Sequence, residues 1–438
     1  MPRAATTPGL DAGTKAEVRV AQAWFWDGIY VRRGVDLQHR FGPDVSTVTD
    51  LDVLGYTPDS KSGFRKSIGE VKTGRSNNTP KPLDRALWMR GVRELVGADS
   101  GEVTTAFRVS DPARDLCRRL GVTVQHMDDL ATRERRLEIA SVEDTGAHGE
   151  TIALVRDRVA KFAKKDPLLE RAWWFLVSEV WFLEPFDALK RTLGVVRELG
   201  RSWPPDAHAD AMEAARWFFA ECISIITLNL AVVAGEANSM SRDAFRRTAM
   251  ARLATGDLPF HGVQKLSERV DVFVGKVLSS LNAPAEVITS TIGAFAPVPP
   301  DYAEPLLDLI DRLAAEAAST ATLPRLVDVV MFERLVRRRI PATGVLTRVG
   351  HDPDAERLMR LVAAFLRGQF KLPGPVDKAM TTPLELAPTT APPTTTQRAT
   401  TATGVGNLAP DLHSEQSAER VDSNPALFYA ENDADERP

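Results

Sequence analysis

Residues 49–74, TDLDVLGYTPDSKSGFRKSIGEVKTG, hold two apolar β-like runs joined by a turn-rich spacer. Leu51, Val53 and Gly55 alternate with Asp50 and Asp52 in the first run, and Val71 separates Glu70 from Lys72 in the second. Residues two apart on a strand share a face, so each run sets its charged residues on one side and its apolar residues on the other. Pairing of the two runs as a hairpin would gather Asp52, Glu70 and Lys72 at one edge of a sheet, with Asp50 in support. Two carboxylates beside a lysine suit a hard divalent cation, which takes oxygen ligands and keeps several waters. The lysine could then hold or deprotonate such a water, or neutralise a phosphate.

Outward from this stretch the pattern alternates. Residues 14–28 read as a helix with Thr14 as N-cap and Gly28 as stop. Strands are expected at 29–37, 46–56, 65–73, 102–110 and 122–127, with helices at 82–97 and 111–121. The order αβββαβαβ describes a mixed sheet flanked by helices, antiparallel at first and later joined through helices. On a wheel of the first helix, Glu17 falls within the apolar face formed by Val20, Ala21, Trp24 and Phe25. A carboxylate there needs a metal or a cationic partner, because an unpaired buried charge is costly. An arginine partner for Glu17, a solvated face for Asp50 and Asp52, and an exposed strand for Glu70-Val71-Lys72 are each reasonable readings taken alone. Their order and spacing together favour a metal site.

The chain has 438 residues and 43% hydrophobic content, enough for two domains and a sizeable core. Net charge is −4 and the pI about 6.1, so no global basic field points to nucleic acid. Residues 1–140 nevertheless carry 22 basic against 19 acidic side chains, which leaves room for a local positive groove. Cys117 and Cys222 are too few and too far apart for a disulfide framework or a zinc site. The first residues lack the apolar region of a secretory signal. Residues 217–235 are long and apolar enough to span a bilayer, but Glu221 and Asn229 interrupt them and no basic cluster flanks them. A buried core helix, no membrane association and a cytoplasmic location are the expectations.

Three zones follow: a mixed α/β domain at 1–145, an all-helical domain at 146–378 and a tail at 379–438. Residues 168–186, apolar nearly all round, are expected to form a central helix of the second zone. The Thr/Pro-rich tail is expected to be disordered. Its apolar island at 424–430, NPALFYA, reads as a chance occurrence rather than a docking peptide.

Glu17 on a first helix, Asp52 on a strand and Glu70-x-Lys72 on the next strand resemble the PD-(D/E)XK nuclease superfamily, within it the Mrr-type restriction and Holliday-junction-resolvase-like branch. Gly13 and Glu17 are similar to the Gly-x-x-x-Glu opening of that branch, and residues 111–130 to its closing helix and strand. The resemblance covers residues 10–135. It implies a Mg2+- or Mn2+-dependent endonuclease acting on DNA in restriction, defence or repair. Asp52 and Glu70 would be metal ligands, Lys72 would position or activate water, and Glu17 would support the metal. Leu51 stands where many members carry proline, and no glutamine follows between Arg75 and Asp115. Pro43-Asp44 is a rival for the first aspartate, placed in a loop-like stretch. Arg75, Lys81 and Arg85 after the catalytic strand, with Arg32 and Arg33, are candidates for phosphate contacts. The helical zone is expected to recognise a trigger or protein partner, to regulate, or to make a homodimer that cuts both strands. A non-catalytic nucleic-acid-binding or protein-interaction module on the same fold is the alternative.

Overall fold

A computed structural model describes residues 10–41, 44–59, 63–74, 81–142, 144–205, 207–255, 260–291 and 297–384. These open with helix α1 (Ala12–Trp26), strands β1 (Tyr30–Phe41), β2 (Asp44–Pro58) and β3 (Phe64–Lys72), helix α2 (Pro82–Val96), strand β4 (Ser100–Thr105), helix α3 (Asp111–Arg119), strand β5 (Val122–His126) and helix α4 (Met127–Arg136). The strands form one sheet in the order β1-β2-β3-β4-β5, antiparallel across β1, β2 and β3 and parallel from β3 to β5. The mixed sheet followed by helices agrees with the expected fold class. Asp11, not Thr14, caps α1, its carboxylate accepting the Thr14 backbone N–H at 3.0 Å. Asp44 opens β2 rather than lying in a loop. Its backbone is eight residues from that of Asp52, roughly 26 Å at the usual rise of a strand.

Helix α1 covers the sheet face that carries Val53, Gly55 and Gly69. A Cβ at Gly55 would lie 2.9 Å from the Trp24 ring, and one at Gly69 would lie 3.2 Å from it. The two glycines in otherwise β-forming runs are therefore the seat of the indole. Its Nε1 donates to Glu102 at 2.8 Å and so satisfies the one polar atom that burial would orphan. Helix α2 covers the other face, with Met89 and Arg93 against Gly101.

The helices that follow are α5 (Glu150–Ala163), α6 (Pro167–Val177), α7 (Pro185–Arg201), α8 (Ala209–Ala237), α9 (Arg242–Thr255), α10 (Phe260–Ser280), α11 (Ala285–Thr291), α12 (Ala303–Ala315), α13 (Ala317–Met331), α14 (Thr343–Arg348), α15 (Pro353–Gln369) and α16 (Gly374–Thr381). The central one is α8, of which 89% of the most apolar 18-residue window is buried inside the fold. The two residues that interrupt its apolar run are answered internally: Glu221 meets Arg32, and Asn229 Nδ2 donates to the Ile225 carbonyl at 2.9 Å. Residues 168–186 do not make the expected single central helix. α6 ends at Ser178, whose hydroxyl donates to the Asp36 carbonyl of β1, and a 3₁₀ turn over Glu179–Phe182 precedes α7.

The described residues form one compact unit. The sequence pattern changes near residue 145, but the packing does not break there: one apolar cluster includes Trp24 and Ile68 as well as Phe218, Leu326 and Val330. The tail begins later than residue 379, since Ala379, Met380 and Leu384 are buried. The rest of the tail and the 424–430 island lie outside the described residues.

Candidate active site

Strands β2 and β3 pair in register from Val53↔Gly69 to Pro58↔Phe64. Beyond Val53, β2 continues with β1, through Val35↔Leu51 and Asp36↔Asp50, while β3 continues with β4, through Glu70↔Val103 and Lys72↔Thr105. The sheet forks between them. At the fork the Val71 N–H, released from β2–β3 pairing, donates to Asp52 Oδ2 at 2.6 Å. A backbone donor thus fixes the carboxylate at the one place where the ladder opens.

Asp52 and Glu70 are 6% and 3% exposed, which makes them buried acids that need compensation. Lys72 supplies it: its Nζ lies 2.7 Å from Glu70 Oε1 and 3.7 Å from Asp52 Oδ2. Arg85 of α2 adds a second cation, with Nη1 3.4 Å from Glu70 Oε1 and its guanidinium 5.3 Å from the Trp88 ring centre. Its buried Nε has no hydrogen-bond partner among the described residues. Compensation is incomplete. Burial, and next the charge of Glu70, push Asp52 up to about 7, against the opposing pull of Lys72 and the Val71 N–H. Burial also raises Glu70. Burial works to lower Lys72, but the hydrogen bond to Glu70 and the charge of Asp52 outweigh it and hold the ammonium above its ordinary value. Burial raises both acids and the charge of Glu70 adds to the rise at Asp52, so the pair is short of positive charge, which a proton or a bound cation would supply.

Glu17 is not drawn into this group. Its carboxylate is 3.0 Å from Arg33 Nη1, and Arg33 shares a face with Val53, its register partner, opposite to the face of Asp52. The arginine partner left open by the sequence is the one observed. Glu17 acts on Asp52 only at a distance, as a weak upward influence on its pKa. Asp50 is exposed, faces Asp36 across the β1–β2 ladder, and adds to the rise at Glu70. Among the described residues no group of three or more His, Cys, Asp and Glu is arranged to hold a metal, so the expected three-carboxylate set reduces to Asp52 and Glu70.

The phosphate-contact candidates divide. Lys81 is exposed just before α2, and Arg85 is at the site. Arg75 lies outside the described residues. Arg32 is a correction. It points inward, with Nε 2.7 Å from Glu221 and Nη2 2.7 Å from Asp328, so it holds the helices to the sheet and is not offered to a nucleic acid. Sequence reasoning missed this junction. Its signal was present in two lone acids, Glu221 and Asp328, inside apolar helical runs.

No protein-family model, no curated protein and no solved structure matches this chain.

Proposed function

We propose that this chain is a metal-dependent nuclease of PD-(D/E)XK type that hydrolyses phosphodiester bonds in DNA. The observation that carries the reading is the fork of β2 and β3, where Asp52, Glu70 and Lys72 share one small volume and a backbone N–H orients Asp52. Two buried, incompletely compensated carboxylates fit Mg2+ or Mn2+, which bind through one or two carboxylates, waters and substrate phosphate rather than through a full protein cage. The bound ion would supply Lewis acidity and a water of lowered pKa. Asp52 and Glu70 would hold it. Lys72, freed from Glu70, would neutralise charge building on the phosphoryl oxygens, and Arg85, set on Trp88, would offer its unsatisfied edge to a neighbouring phosphate. Lys81 would add a backbone contact. Glu17 would tune the site from behind Arg33. The choice of DNA, and a place in restriction, defence or repair, rest on the resemblance of the motif.

The test is incubation of the full chain with linear, circular, methylated and single-stranded nucleic acids in Mg2+, Mn2+ or EDTA. Cleavage of at least one DNA with metal, and none in EDTA, is expected. Retained nucleic-acid binding without cleavage in any metal would replace the reading with that of a binding module.

A further inference from the structure

Residues 263–280 of α10, VQKLSERVDVFVGKVLSS, place apolar side chains at Val263, Leu266, Val270, Phe273 and Val277. Spacings of three and four alternate, the pattern by which one helix seats on another. Within the fold this helix has little to seat on. Its neighbours are α9 and α11, and among its described residues only Ser267 is buried. The apolar cluster holds no described residue between Leu253 and Ala303. Leu266 and Phe273 are 62% and 67% exposed, and Val272, Val277 and Leu281 are exposed beside them. Single exposed apolar side chains are ordinary, but a run of them along one helix marks an interaction surface.

The stripe is complementary to itself. Laid antiparallel about a two-fold axis, Leu266 meets the partner's Val277 and Val270 meets the partner's Phe273, so each of these layers joins a larger side chain to a smaller one. A helix of 21 residues is about 31 Å long, and burying one flank of it in each of two copies removes on the order of 1,200 Å2 in total, the lower end of the range for stable interfaces.

We propose that α10 is the contact by which two copies of this chain form a two-fold, antiparallel dimer, with Leu266, Val270, Phe273 and Val277 as its seam. The surface gives the homodimer expected of the helical zone a place, and it does not depend on the nuclease reading. Exposed Arg269 and Lys276 flank one side of the seam, and the antiparallel pairing brings Arg269 near the partner's Lys276. Like charges at that distance oppose association modestly and are screened by salt. The dimer therefore tightens as salt rises, whereas an acidic partner held by the same two cations would be released.

The experiment is analytical ultracentrifugation of the full chain from about 1 to about 100 µM, in sodium chloride at about 50 and about 500 mM. A monomer–dimer equilibrium is expected, tighter by at least about 2-fold in the higher salt. Folded Phe273→Glu should be monomeric throughout. Arg269→Glu, which turns the two like-charge pairs into opposite ones, should tighten the dimer about 5-fold in low salt. A monomeric wild-type chain at the highest concentration would overturn the proposal, and binding of that monomer to vesicles of phosphatidylglycerol would give the face to a lipid surface instead. A dimer that weakens with salt, or that folded Phe273→Glu leaves intact, would overturn it as well.

Discussion

Asp52 and Glu70 sit on neighbouring strands with one lysine between them, and the strain of that arrangement is measurable. Asp52 titrates near pH 7 when folded and near 4 when unfolded. Across that window the folded chain keeps a proton that the unfolded chain has released. Stability therefore falls as pH rises from about 4 to 7 and changes little above, by an amount on the order of 2–4 kcal/mol. In EDTA, Asp52→Asn should remove most of this slope and be more stable than wild type at pH 8. Glu70, also raised, should leave a smaller residual slope. Denaturant titrations at several pH values check this, and parallel profiles for the two proteins would refute it. Divalent metal should stabilise wild type but not Asp52→Asn. At this scale the grouping of Asp52, Glu70 and Lys72 was legible because strand alternation and hairpin pairing are local. The fates of Arg32 and Glu17 were not. The partners of Arg32 lie 189 and 296 residues away in sequence, and the choice between a metal and Arg33 for Glu17 depends on how α1 lies across β1.

Among the elements, α8 and α13 are tied to β1 by one buried charge cluster. Arg32 bridges Glu221 and Asp328, and Ser224 Oγ and the His148 ring also approach Asp328. Removing one member leaves an uncompensated buried charge, so Arg32→Ala should cost about 3–5 kcal/mol. The triple replacement Arg32→Met, Glu221→Leu and Asp328→Leu should cost less than that single change, and a greater loss in equilibrium unfolding would contradict this view of the junction. The C-terminal boundary makes a second prediction. Arg334 donates to the carbonyls of Ala379, Thr382 and Pro383, and the Leu384 N–H meets Glu356 at 3.1 Å. A chain ending at Lys378 should lose about 2–4 kcal/mol through the exposed Leu384 site and the orphaned guanidinium. A chain ending at Ala387 should lose none. Element order was readable from periodicity, down to αβββαβαβ. The break after α6 was not, because Ser178 is held by a backbone carbonyl of β1 and no local breaker residue marks it.

Over the whole molecule, sheet and helices share one apolar cluster, and the partners of the sheet's buried groups come from the helical half. Arg325 of α13 donates to the Phe25 carbonyl at 2.7 Å, and Lys66 of β3 donates to the Trp181 carbonyl at 2.8 Å. A fragment of residues 1–145 would expose all of these, so it should lack a cooperative unfolding transition and near-ultraviolet dichroism. A sharp transition like that of the full chain would restore two independent folding units. Composition told apart the mixed and the helical zones but carried no information on whether they share a core, since both have apolar faces to bury. The central claim concerns the fork. The measurement that tests it most directly is cleavage of supercoiled plasmid in Mg2+ and Mn2+ by the full chain and by Lys72→Ala, with circular dichroism to verify the fold of each. The account predicts metal-dependent nicking or linearisation by the wild-type chain, none in EDTA, and a loss of at least about 100-fold in folded Lys72→Ala, the scale of removing one preorganised charge-stabilising group. Undiminished cleavage by folded Lys72→Ala would contradict it.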